Sequence, residues 1–272
     1  SAFGSYAMAT SSTGAGNAAM GYKSMQDNTT GNHNTALGYQ SLQANTTGAR
    51  NIAIGHNAYD ASDTENDNIA IGKDAMTTNT AGGEKNVAIG NYALDALTSG
   101  DINTAVGYGA LSQNTTGTKN VGVGYNALES VTTGDFNTAI GQSSGGEITT
   151  ADSNTSVGQE SLRNNTTGHS NAAVGTTAAY TNVDGNYNVA VGKDALYSNS
   201  GGGHNVAIGF NAAYENLASD VIAIGKQAME ANTTGTRNIA IGTQAYDASD
   251  TENDNIAIGH NAMTTNTAGG TN

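Results

Sequence analysis

Few side chains in this sequence can do chemistry, and those that can fall at regular places. Asp60, Asp63, Glu65 and Asp67 crowd one turn, and Asp247, Asp250, Glu252 and Asp254 repeat them, because the run from Tyr59 to Gly72 recurs letter for letter from Tyr246 to Gly259. Oxygen ligands at this density suit Ca²⁺. Neither the EF-hand spacing nor the glycine-rich calcium repeat of β-roll toxins is present, so a solvated acidic turn is the preferred reading and calcium the alternative. The five histidines, His33, His56, His169, His204 and His260, lie in spacers with no cysteine and no acid at triad-like intervals. Metal binding and nucleophilic catalysis are therefore not expected of them. Serine and threonine hydroxyls abound without an evident base, and the glycines follow no phosphate-binding pattern. The sequence predicts no enzyme and no cofactor.

The most regular polar residue is an asparagine four positions before a glycine, as in Asn34, Asn51, Asn68, Asn86 and Asn103. Amides repeated at one place in successive coils can hydrogen-bond along the stack, which makes a structural ladder the expected role. The glycines themselves recur at Gly4, Gly21, Gly38, Gly55, Gly72 and onward to Gly259, sixteen in all. Their step is 17 residues, except for 18 from Gly72 to Gly90 and 16 from Gly209 to Gly225. So short a period held so long predicts an all-β fold, a parallel β-roll or β-solenoid of about 16 coils. It is expected to be one continuous array over residues 1–272, roughly 77 Å long at about 4.8 Å per coil.

Within the coil, alanine dominates two places before the glycine, and the residue just before it is always apolar. Side chains alternate across a strand, so the two columns face opposite ways. The second column, with Ile54, Ile71, Ile89, Val106, Ile140, Ile208, Ile241 and Ile258, would form an apolar stripe along the array. Burying one such side chain is worth about 1.5–3 kcal/mol, so the stripe predicts association with further copies through this seam. Ile52 is harder to place, because threonine often replaces it.

Three places after each glycine comes Ala or Ser, then usually a large residue such as Leu42, Tyr59, Met76 or Leu94, which predicts a second short strand or edge. Ala179-Tyr180 and Ala213-Tyr214 would shift that large residue by one, and Ser143-Ser144-Gly145-Gly146-Glu147 lacks it. Spacers such as Asn45-Thr46-Thr47-Gly48 supply the turns.

Composition agrees with a thin repeated core. The chain has 37 glycines, no proline, no tryptophan and three phenylalanines. Proline would remove a ladder donor. A net charge of −14 with nine Lys and Arg argues against nucleic acid or an anionic membrane as partner. No run is long and apolar enough to span a membrane, and the absence of cysteine excludes disulfides. The last residue, Asn272, followed by Ser1-Ala2-Phe3-Gly4 would complete one more motif. An excerpt from a longer fibre, or copies stacked head to tail, is therefore expected.

The pattern Asn68-Ile69-Ala70-Ile71-Gly72-Lys73-Asp74-Ala75-Met76 resembles the YadA-like head repeat of trimeric autotransporter adhesins. With Asn-Thr-Thr-Gly spacers it also resembles repeat regions of phage tail fibres. The resemblance covers the whole chain. It implies a left-handed roll, a homotrimer, and display outside a cell or on a virion surface. The expected function is a structural or adhesive fibre segment. The alternative is a head that recognises a host glycan or matrix receptor through exposed tyrosines such as Tyr22, Tyr39, Tyr108, Tyr125 and Tyr187. An ice-binding threonine array is disfavoured, because the threonines come as adjacent pairs that point to opposite faces.

Overall fold

The computed structural model describes residues 1–11, 13–79, 82–247 and 251–264. All regular structure among them is β, in sixteen strands of two or three residues. Contacts divide the chain into two units, Ser1–Phe136 and Asn137–Asn272. The first holds β1 (Ala2–Phe3), β2 (Ala18–Met20), β3 (Thr35–Leu37), β4 (Ile52–Ile54), β5 (Ile69–Ile71), β6 (Val87–Ile89), β7 (Thr104–Val106) and β8 (Val121–Val123). Each pairs in parallel with the next in exact motif register, for instance Ile52↔Ile69, Ala53↔Ala70 and Ile54↔Ile71. The second holds β9 (Thr138–Ile140), β10 (Thr155–Val157), β11 (Ala172–Val174), β12 (Val189–Val191), β13 (Val206–Ile208), β14 (Ile222–Ile224), β15 (Ile239–Ile241) and β16 (Ile256–Ile258), paired the same way. The fold is a parallel β-solenoid with the expected period of about 17 residues.

The large residue after each glycine does not form a second strand. Residues 56–61 make a turn, with Asn57 at φ 51° and Tyr59 at φ 53°. The same two places are left-handed in other coils, for example Asp74 and Met76. Left-handed backbone costs an L-residue roughly 1–2 kcal/mol. Hydrogen bonds between coils oppose that cost: Asn57 donates its N–H to the Tyr39 carbonyl and Tyr59 donates to the Ala75 carbonyl, both at 2.9 Å. The turn folds its large residue over the strand, so Leu42, Tyr59, Met76, Leu94, Leu111 and Leu128 are buried against the alanine column of Ala53, Ala70, Ala88 and Ala105. The core is thus one large and two small side chains per coil, repeated.

The irregular coils keep this plan. Ala179 and Ala213 themselves occupy the core position, while Tyr180, Tyr197 and Tyr214 stand outside it in a stack with ring centroids 5.2 and 5.0 Å apart. The large residue is therefore not displaced by one. Where Gly145 leaves the core position without a side chain, Ile148 is buried three places later in the same coil. Ser156, which replaces an alanine, is paired with Ser144 by a 2.7 Å hydroxyl hydrogen bond. In the shortened coil, the Ala218 carbonyl accepts from the Nδ2 groups of Asn205 (2.8 Å) and Asn216 (2.9 Å), as a glycine carbonyl does elsewhere.

Candidate functional site

The asparagine column is buried in both units, and its shorter bonds run to backbone, with amide-to-amide contacts beside them where Asn154 Nδ2 donates to Asn137 Oδ1 and Asn171 Nδ2 to Asn154 Oδ1, both at 3.2 Å. In Asn103, Oδ1 accepts the backbone N–H of Asn120 in the adjacent coil at 2.9 Å, and Nδ2 donates to the Gly117 carbonyl at 2.8 Å. Asn34, Asn51, Asn68 and Asn86 do the same. Each side chain therefore joins a neighbouring coil's backbone to its own spacer turn. A second buried asparagine column, missed in the sequence reading, makes shorter amide-to-amide contacts: Asn45 Nδ2 donates to Asn28 Oδ1 at 2.8 Å, and Asn182 Nδ2 to Asn165 Oδ1 at 2.7 Å. Its signal was present in the first letter of the Asn-Thr-Thr-Gly spacers. Leu97, Val131 and Ile148 take its place in three coils and are buried there.

The acidic turn does not gather its carboxylates. Glu65, buried, accepts from the backbone N–H groups of Asp63 (2.9 Å), Thr64 (3.1 Å) and Gly82 (3.2 Å). Asp63 accepts from the Thr46 hydroxyl. Asp67 pairs with both Nε and Nη2 of Arg50, at 2.5 and 2.8 Å, and the arginine holds its carboxyl below the usual range. Arg237 and Asp254 repeat this pair in the other unit, at 2.6 and 2.8 Å. Glu252 is buried and accepts from the Thr251 N–H, and burial raises the Asp247 carboxyl. Asp250 lies outside the described residues. Among those described, no three acidic or histidine side chains converge on a point that could hold a metal ion. His56 stacks on Tyr39 and His204 on Tyr187, at 5.0 and 5.1 Å, each within the surface of a coil stack.

Asp60 is shifted the opposite way to Asp67, because burial and then the Asp74 carboxylate raise its carboxyl. A carboxyl raised in the folded state favours folding while protonated and loses that contribution as pH rises through the folded value. Asp60→Asn is therefore expected to be the more stable form at pH 7, by about 0.5 kcal/mol or less, and equal to the parent at pH 3. Thermal melts at the two pH values check the sign.

The outward face of each sheet carries two columns. Ile54, Ile71, Ile89, Val106, Ile140, Ile208, Ile241 and Ile258 point outward, and so do Ile52, Ile69 and Val87, one strand position away on either side of the buried alanines. The face is thus two side chains wide, which places Ile52. Exposure on this face is 43% at Ile140 and 67% at Ile258. Tyr22, Tyr39, Tyr108, Tyr125 and Tyr187 are exposed on other faces, where Tyr22 stacks on Tyr39 and Tyr108 on Tyr125 at 5.4 and 5.6 Å. No described helix is long and apolar enough to cross a membrane. Comparison with protein-family models, with curated proteins and with solved structures gives no match.

Proposed function

We propose that the chain is a non-enzymatic structural or adhesive fibre segment, which associates with further copies through the outward sheet face and is displayed outside a cell or on a virion. The observation that carries this reading is the width and composition of that face. Ile52, Ile54, Ile69, Ile71, Val87 and Ile89 form two adjacent apolar columns that the single chain leaves partly in water. Apolar surface of this extent marks an association site. A homo-oligomer, three chains by the resemblance of the repeat, buries the columns without disturbing the coil-to-coil hydrogen bonds. The buried asparagines and alanines serve the coil itself, and the acidic surface favours solubility.

Sedimentation tests the reading. The parent chain is expected to run as an oligomer at micromolar concentration, and Ile54→Lys with Ile71→Lys as a monomer, with affinity lowered at least about 100-fold by charge in an apolar seam. Circular dichroism should be unchanged, since both side chains point away from the core. A parent chain that stays monomeric at all concentrations overturns the proposal.

A further inference from the structure

One coil surface holds a hollow that the fibre reading does not use. Its floor is Gly109, at the second place after the motif glycine, where the flanking coils carry Tyr92 and Asn126. Tyr108 forms one wall, and Asp95, Ser112 and Glu129, three successive members of one column, form the other. The space is about 370 Å³.

Asp95 and Glu129 stand two coils apart, roughly 9.6 Å along the stack, with the small Ser112 between them. Tyr92 and Tyr108 meet edge to face at 5.5 Å, so the wall beside the carboxylates is aromatic. Lys73, paired with Asp74 at 3.0 Å, donates to the Tyr92 hydroxyl at 2.7 Å and lies 4.9 Å from its ring centroid, which places a donor beside the aromatic wall. Carboxylates accept, the lysine donates, and the hydroxyls and the Asn126 and Gln113 amides do both. A ligand whose polar groups each donate and accept fits this mixture. A cation needs acceptors only and would leave the hydroxyl and amide donors unused; an anion would meet Asp95 and Glu129.

We infer that the hollow around Gly109 is a binding site for a neutral sugar, of a size to take one or two pyranose rings. The inference does not depend on oligomerisation, since every residue named belongs to one chain. Gly109 gives the sharp test. Its φ of 62° is one that asparagine adopts at the same place in other coils, as at Asn57 (φ 51°) and Asn126 (φ 50°), so Gly109→Asn suits the backbone. Its side chain would fill the hollow, displacing only the Asn126 amide, which is the nearest neighbour of an added Cβ.

The experiment is saturation-transfer NMR on the full chain with methyl glycosides of glucose, galactose, mannose and N-acetylglucosamine, and with Nα-acetyl-lysine methylamide as the cationic probe. Transfer to at least one glycoside is expected, with millimolar affinity. It should fall at least tenfold in Gly109→Asn, whose thermal melt matches the parent. Ser112→Leu, which blocks the floor from the other column, should cause the same loss. No transfer to any glycoside, equal transfer in Gly109→Asn, or a stronger signal from the lysine probe would each overturn the assignment.

Discussion

Gly55→Ala is expected to destabilise its coils by more than about 3 kcal/mol, one of the largest effects available to a single methyl group in this fold. Two causes act together. Gly55 has φ +139°, a conformation that L-residues adopt at a cost of about 1–3 kcal/mol. A Cβ there would also sit on the Gly72 carbonyl of the adjacent coil, 2.7 Å from its carbon, and both partners are backbone with no rotamer to yield. Gly82 separates the causes. Its φ is +110° but an added Cβ meets nothing within 4 Å, so Gly82→Ala should lose only the conformational part. Urea unfolding followed by circular dichroism measures both variants. Equal losses would show that close approach of the coils does not matter at Gly55.

Asn103→Ala is expected to cost about 1–3 kcal/mol, because it leaves one buried backbone group, the Asn120 N–H, without its acceptor. The Asn120 N–H loses its acceptor and the Gly117 carbonyl loses one of its donors. The second asparagine column gives the contrast. Asn114 Nδ2 donates to the same Gly117 carbonyl at 3.0 Å, while its Oδ1 is buried with no partner. Asn114→Leu removes an unpaired acceptor, leaves Gly117 bonded to Asn103, and places leucine where Leu97 already stands one coil earlier. Its effect should lie within about 1 kcal/mol of zero. Hydrogen exchange at the Asn120 amide distinguishes the two: accelerated in Asn103→Ala, unchanged in Asn114→Leu. Similar losses from both would mean that the columns are energetically equivalent, against the geometry.

Much of this was legible because a coil repeats its evidence. The 17-residue step, the inward alanines, the outward Ile54 column and the motif asparagine can be read from any three copies, since alternation across a strand leaves each letter one face. The resemblance to adhesin and tail-fibre repeats adds expectations of trimer and display. These enter the proposed function and await the sedimentation test. The acidic turn was less legible. Carboxylates adjacent in sequence went to separate donors, Glu65 to backbone N–H groups, Asp63 to Thr46 and Asp67 to Arg50. Those donors lie partly on other coils, a whole period away.

By itself, then, the sequence determined the period, the parallel register and the division of each strand into inner and outer faces, because these follow from spacing and side-chain size. Only the tertiary structure decided how the rest of the coil closes. Left-handed backbone at Asn57 and Tyr59 is disfavoured locally, so nothing near them in the chain announces it. It holds because the coils on either side accept their N–H groups and because the turn delivers Tyr59 to the core. The second asparagine column and the hollow at Gly109 have the same origin. Each depends on which side chains stand one coil above and below, a relation that the stacking creates.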